Sequence, residues 1–250
     1  EIIKIEKGLV KPILKGEDIG RYKNLTNKIF VIFPYKLEGG KAILFDENEI
    51  KELFPLGYQY LKENEIFLRN REKGKMDNES WYAYIYPKSL TEFEQKKIIT
   101  SYLGSYTNMS IEYGNLYHNT KGFGMTLKDK KDLNLYEYYL GLLNSKLFWF
   151  FIKNTSSEYR GGYFVFTKNY ISPFPLPEIS ENSDLMIDNV NQILSSNINL
   201  KEVSSKFQRT LQRKFENLEK LPKKLENWYE LTFADFVKEL KKKKIALSFE

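Results

Sequence analysis

The chain lacks cysteine altogether and has a single histidine, His118. Without cysteine there can be no disulfide, zinc–thiolate or iron–sulfur site, and no thiol nucleophile. One histidine excludes any two-histidine metal site and leaves one candidate base for a triad. Zero cysteine fits a reducing compartment, so a cytoplasmic location is expected. No long apolar run is present. The most apolar stretch, Tyr138 to Ile152, falls short of the roughly 20 residues a membrane span needs and carries Asn144, Ser145 and Lys146. Neither a membrane segment nor a basic-then-apolar leader is expected. The chain opens on Glu1 rather than Met, which reads as a piece of a longer polypeptide.

Catalytic motifs are also missing. There is no glycine-rich phosphate loop of the Walker type, and Gly122-Phe123-Gly124 is too short for a dinucleotide fingerprint. An adenine methyltransferase holds the flipped base's amino group with an Asn-Pro-Pro-aromatic tetrad; Phe33-Pro34-Tyr35 lacks the Asn and the second Pro. A metal-dependent nuclease needs clustered carboxylates with a lysine. The acidic run Asp46-Glu47-Asn48-Glu49 precedes a helical pattern, where acidic residues suit the N-terminus without any metal. His118 sits in the polar loop Tyr117-His118-Asn119-Thr120 with no Ser or Asp motif to complete a triad. It reads as a packing residue, with a base-contacting role as the alternative. No catalytic or metal residue is expected in the chain.

What is present is aromatic and mildly basic. The 250 residues are 42% apolar, with 18 Tyr, 18 Phe and 3 Trp, enough to bury a sizeable core. Lys and Arg number 39 against 33 Asp and Glu, a net charge of +6 that makes an anionic partner plausible. Three prolines crowd the stretch Ile171 to Pro177, which can be neither helix interior nor central strand. A boundary is placed there, giving domains 1–178 and 179–250; 32 aromatic residues lie before it and 7 after. The fold class expected is α+β: a mixed β-sheet domain with a long buried helix, then a smaller all-helical segment. Strands are predicted at Ile29–Phe33, Trp81–Tyr86, Lys97–Tyr102 and Gly161–Phe166. Helices are predicted over Ile50–Asn64 and, as the long buried one, Leu135–Lys153. In the second part Phe207, Leu211, Phe215 and Leu218 share a helical face, and Thr232 to Asp235 reads as a capped helix start before the basic run Lys241–Lys244.

Three segments carry candidate binding residues. In Lys11–Tyr22, Lys15 and Arg21 suit phosphate oxygens, with Tyr22 beside them; a surface turn is the plainer alternative. In Ser156–Phe164, Gly161 and Gly162 allow either a tight turn or close approach to a partner, and Arg160 can fork onto a phosphate or a guanine edge. The polar, aromatic loop Gly104–Thr120 offers Tyr106, Asn108, His118 and Asn119 as readers of base edges, or forms an ordinary hairpin region. Arg69, Arg71, Lys73 and Lys75 read as a solvated basic loop.

The order of these pieces resembles a known family. Lys-Pro-x-Leu-Lys-Gly-x-Asp-Ile-x-Arg-Tyr at Lys11–Tyr22 is followed by Phe33-Pro34-Tyr35, Trp81-Tyr82, the helix motif Leu142–Leu147, Arg160-Gly161-Gly162-Tyr163-Phe164 and Phe174-Pro175-Leu176-Pro177. Together they resemble the TaqI-like C-terminal specificity domain of type IIG restriction–modification enzymes and related adenine-N6 DNA methyltransferases. The tail Leu221–Phe236 is similar to the helical segment that follows it there, and similar proteins continue beyond the equivalent of Glu250. The resemblance implies a non-catalytic module that recognises a sequence in double-stranded DNA. Its partner would be a methyltransferase domain of the same parent chain, which binds S-adenosylmethionine; Mg²⁺ for cleavage would likewise belong to missing parent segments. Of the candidate residues, Lys15, Arg21, Arg160, Gly161 and Gly162 lie in shared motifs. One half of a type I restriction specificity subunit, a pure DNA-binding protein, is the alternative. An enzyme built on Asp46–Glu49 or His118 is a third reading.

Overall fold

A computed structural model describes residues 2–27, 29–128, 135–177, 179–180, 182–215 and 218–245. It falls into two compact units, Glu1–Val190 and Asn191–Glu250. Helices and strands are mixed, and the fold class is α+β.

The first unit opens with β1 (Val10–Leu14) and β2 (Ile29–Ile32), the latter a β-branched and aromatic run stopped ahead of Pro34. A hairpin follows, β3 (Tyr35–Glu38) and β4 (Lys41–Leu44), closed by the Glu38–Lys41 pair. Its two turn residues, Gly39 and Gly40, have φ of +55° and +73°, the left-handed pair that a two-residue hairpin requires. α1 (Glu47–Leu53) starts from a capping box: Asp46 accepts from the Glu49 N–H at 2.8 Å, and Glu49 accepts from the Asp46 N–H at 2.9 Å. The single helix predicted over 50–64 is in fact two, because Pro55 holds Phe54 out of helical conformation and begins α2 (Pro55–Glu63). Two short helices, α3 (Glu65–Arg69) and α4 (Arg71–Gly74), lead to the tryptophan segment.

That segment, Trp81–Tyr86, is not a strand. Side chains, instead of a ladder, bond three of its backbone groups. The Arg71 guanidinium donates to the Trp81 and Ala83 carbonyls at 2.7 and 2.9 Å, and the Tyr84 N–H donates to the Tyr35 hydroxyl at 2.7 Å. Arg71 is therefore a structural clamp, not part of a solvated basic loop.

The remaining strands are β5 (Lys96–Ser101), β6 (Leu103–Gly104), β7 (Ser110–Tyr113), β8 (Tyr117–His118) and β9 (Gly122–Met125). The long helix predicted over 135–153 is broken into α5 (Leu135–Leu143) and α6 (Lys146–Thr155). Ser145 is the N-cap of α6, its hydroxyl accepting from the Phe148 N–H at 3.0 Å. α5 buries Tyr136, Tyr138, Leu140 and Leu143, whereas α6 leaves Leu147 and Phe150 exposed. β10 (Glu158–Tyr159) and β11 (Tyr163–Val165) form a hairpin, followed by α7 (Lys168–Ile171).

Among the described residues the strands make four small sheets: β2-β1-β8, β10-β11-β6, β3-β4 and β7-β5-β9. In the last, β5 is antiparallel to both neighbours and its residues 97–101 are buried. Separate clusters fill the spaces between elements. Phe33, Tyr35, Met76, Leu90 and Tyr117 form one, Leu9, Ile50, Leu61 and Trp81 another, and Leu14, Ile19 and Ile99 a third.

α8 (Asn182–Lys214) begins within the first unit and carries the chain into the second. There α9 (Lys223–Glu226) and α10 (Phe233–Lys242) follow. The core is aliphatic: Leu211, Leu218, Leu221, Leu225, Leu240 and Ile245, with Phe207, Phe215 and Phe236 packed against it. Thr232 caps α10 by accepting from the Asp235 N–H at 3.2 Å, and the basic residues Lys241 and Lys242 fall in its last turn. None of the helices among the described residues is long and apolar enough to cross a membrane.

Candidate functional site

Arg21 is held from two sides. Tyr22, with φ of +52°, donates its N–H to the Met109 carbonyl at 2.9 Å, and the Lys23 N–H donates to the Ser110 hydroxyl at 2.7 Å, so the chain turns onto β7 at this point. One Arg21 Nη2 then donates to the Asn144 carbonyl at 2.8 Å. That carbonyl is available because α5 stops at Leu143, and helix ends leave such acceptors unmatched. The Asn144 side chain is fully buried and bonds both polar groups of the Met109 backbone, at 2.9 and 3.1 Å. The guanidinium lies 5.3 Å from the Tyr22 ring and 5.2 Å from the Tyr106 ring. Arg21 thus braces the Lys11–Tyr22 segment against the helix break while the residue stays exposed.

A line of rings continues from it. Tyr106 packs on Trp149 at 5.2 Å, and Trp149 packs edge-on against Phe164 of β11 at 5.4 Å. β11 carries the chain back from the hairpin tip Arg160-Gly161-Gly162. The two glycines have φ of +85° and +75°, a backbone that other residues adopt only with strain. Arg160 is exposed at this tip and makes no ion pair among the described residues. Tyr159 and Tyr163 flank it as the closing pair, both exposed.

Of the other predicted residues, Lys15, His118 and Asn119 form a second stretch. β8 runs parallel to β1, placing His118 opposite Leu14, and the Asn119 N–H donates to the Leu14 carbonyl at 3.3 Å. Asn119 shapes its own turn: its side-chain oxygen accepts from the Lys121 N–H and its carbonyl from the Gly122 N–H, both at 3.0 Å. Lys15 is exposed beside it, its N–H donating to Asp18 at 2.8 Å. Asn108 is used inside the fold, where its amide bonds Thr100 and Ser101 at the end of β5.

Sequence reading missed the residues that join the two stretches. The Tyr102 N–H donates to the Lys121 carbonyl at 2.7 Å, and the Phe166 N–H donates to the Tyr102 carbonyl at 2.8 Å. Lys121 is exposed, and its ammonium lies 5.9 Å from the Tyr102 ring. These residues flank the Gly104–Thr120 loop just outside its ends, which was the available signal.

His118 also lines a cavity of about 530 Å³, together with Tyr84, Tyr86, Phe93, Tyr117 and Phe123. Phe93 stacks on Tyr117 at 4.7 Å and meets the imidazole edge-on at 4.9 Å. Gly122 and Gly124, alternate residues of β9, leave the space that the ring fills: a Cβ on either would come within 3.3 Å of it. His118 Nδ1 is 3.1 Å from the Asn119 carbonyl, so that nitrogen carries the proton and Nε2 is an acceptor. Burial lowers the imidazole pKa and favours this neutral form. Lys97 lines the same cavity, but its ammonium is fully engaged, donating to the Phe93 and Gln95 carbonyls and to the buried Glu112 carboxylate. Glu112 in turn accepts from the backbone N–H groups of Gly114, Asn115 and Leu116.

The acidic run Asp46–Glu49 is occupied too. Beyond the capping box, Glu49 pairs with Lys36 at 2.6 Å and Glu47 accepts from the Tyr58 hydroxyl at 2.9 Å. Among the described residues no group of three or more His, Asp or Glu side chains is placed to hold a metal ion.

Residues 11–176 match the family described as the TaqI-like C-terminal specificity domain, and the chain belongs to that family. Residues 179–250 match a second family, described as a domain of unknown function (DUF8810). The chain is also similar to the type II restriction enzyme and methyltransferase RM.Eco57I of Escherichia coli, 22% identical over 224 residues. The match covers 84% of this chain and 22% of that protein, so the chain spans about a fifth of the length of the curated relative it matches.

Proposed function

We propose that this chain is the module that selects a sequence in double-stranded DNA for an adenine-N6 DNA methyltransferase or type IIG restriction–modification enzyme, working in the cytoplasm beside a methyltransferase segment of the same parent chain. The match of residues 11–176 to a specificity-domain family is the observation that carries this reading. The relative named as both restriction enzyme and methyltransferase favours a parent with these parts in one chain over half of a type I specificity subunit. The carboxylates of the Asp46–Glu49 run are engaged in the α1 cap, the Lys36 ion pair and the Tyr58 hydroxyl bond, and among the described residues no group of three or more acidic or histidine side chains is placed to hold a metal ion. S-adenosylmethionine and Mg²⁺ belong, in this reading, to other parts of the parent.

Within the chain, Lys15, Lys121 and Arg160 supply surface cations for phosphates or base edges; Asn119 lies beside Lys121, and Tyr106 beside Arg21. Arg21 has a mainly bracing role. Phosphate contacts give affinity that weakens with salt, with a slope of about −0.9 per phosphate neutralised. A bidentate arginine–guanine contact discriminates by roughly 1–3 kcal/mol. The test is fluorescence anisotropy of the chain on random-sequence and target duplexes across a salt series. Arg160→Ala is expected to weaken target binding about tenfold or more. A loss on the target duplex alone assigns Arg160 to a base, and an equal loss on both assigns it to phosphate. No salt-dependent duplex binding by the unaltered chain would sink the reading.

A further inference from the structure

The cavity around His118 is too large and too particular in its lining to be a packing defect. Its volume of about 530 Å³ falls in the roughly 300–1,000 Å³ range of small-molecule sites. Its walls are aromatic rings held in fixed positions by ring-on-ring packing and by hydroxyl bonds, such as the one from Tyr84 to the Ile32 carbonyl at 2.7 Å. Its one embedded cation, Lys97, is neutralised by Glu112 and saturated by backbone carbonyls, so the floor offers no charge to a ligand. Lys88 and Glu92, one charge of each sign, also line the cavity and are both exposed. Ser89, Asn119, Thr120 and Thr126 add polar groups to the lining, and His118 adds its Nε2. That nitrogen has no partner among the described residues, and it lies over the glycine-lined face of β9.

Aromatic walls, an embedded cation already neutralised by its partner and the His118 acceptor suit a flat, neutral heterocycle with an N–H on its edge. We propose that this cavity receives an unstacked nucleobase, its rings packed among Tyr84, Phe93 and Tyr117 and an N–H of its edge donated to His118 Nε2. Stacking on aromatic side chains is tolerant of base identity, whereas the acceptor fixes which edge enters. The base could come from a nucleotide swung out of a duplex or from a free nucleoside. The first source rests on the DNA-binding reading above; the pocket itself does not.

A chain with a single histidine permits a direct test, because its two imidazole ¹⁵N signals need no assignment. The full 250-residue chain, labelled at His118, is titrated in parallel with adenosine, with N6,N6-dimethyladenosine, and with a short duplex carrying one bulged adenine or none. The free chain should show Nδ1 protonated and Nε2 as the acceptor nitrogen. Adenosine or the bulged duplex should then move the Nε2 signal while Nδ1 holds. N6,N6-dimethyladenosine, which has no N–H on its base, should bind about tenfold more weakly, the loss of one hydrogen bond. A shift with the bulged duplex alone identifies DNA as the source, and a shift with adenosine alone identifies a free nucleoside. An Nε2 signal unmoved by either, or an Nε2–H tautomer in the free chain, overturns the proposal, and this readout needs no variant that must fold. Duplex binding measured by anisotropy in the same samples reports separately on the DNA reading. Binding without an Nε2 shift defeats the pocket alone; an adenosine shift without duplex binding defeats the DNA reading alone.

Discussion

The two compact units of this chain are held together by different chemistry. The first buries rings and polar side chains together: Arg71, Asn144 and the Lys97–Glu112 pair all reach backbone groups or each other across long stretches of sequence. The second buries mainly leucine; alongside the Thr232–Asp235 cap, its polar ties are the Gln208 and Gln212 amides of α8, which donate to the Glu226 and Glu219 carbonyls. Short strands and irregular segments leave many backbone groups unmatched, so a domain built from them needs side chains as ties. Helices satisfy their own backbone and need only an apolar face. The polar ties make the first unit precise in shape, which suits loops that must be held in register.

That contrast predicts where each unit breaks. The largest effect is expected from Glu112→Ala, which leaves Lys97 buried at 3% exposure without its partner. Breaking such a pair typically costs about 3–5 kcal/mol. Hydrogen exchange should quicken across β5, β7 and β9 and stay unchanged in α10. Leu225→Ala should do the converse, costing about 3 kcal/mol through the cavity left in the leucine cluster, with faster exchange confined to the second unit. If either change loosens both units equally, the distinction between their cores is wrong. Thr232→Ala should cost about 1 kcal/mol, read as a lower urea midpoint, because it removes the α10 cap.

The smallest effect concerns pH. His118 titrates lower in the folded chain than its ordinary value near 6.5, owing first to burial. Below that value the unfolded chain binds the proton more readily, so stability contributed by the neutral ring is present above pH 6.5 and is lost as pH falls toward the folded-state value. His118→Phe should flatten this part of the stability profile between pH 7 and 5. An unchanged slope would show that the ring is not desolvated as described.

Some of this organisation was legible in the sequence, and the reasons differ by element. The strands at 29–32 and 96–101 and the hairpin turning at Gly161-Gly162 announce themselves through β-branched runs and turn residues, all local signals. So does the Thr232 cap. The break between α5 and α6 was hidden because the apolar pattern runs straight through Asn144-Ser145, and only the hydroxyl bond to Phe148 shows where the new helix starts. Trp81–Tyr86 alternates like a strand, yet the side chains that bond its backbone, those of Arg71 and Tyr35, lie ten to 49 residues away. Of the candidate site, Arg160 at a glycine turn was readable. The clustering of His118 with Phe93, Lys97 and Glu112 was not, since it depends on a parallel pairing of β8 with β1 and on the β5–β7 register that sets Lys97 opposite Glu112.

At the β10–β11 tip the fold requires glycine at 161 and 162 and asks nothing of its neighbour at 160 beyond being there. A library randomised at that one codon would therefore vary the chemistry offered to the outside while the frame beneath stayed as it is. Diversity is inexpensive at such a place, and under the proposed function a designer wanting new preferences should begin there rather than at Arg21, whose exchange would disturb the joinery.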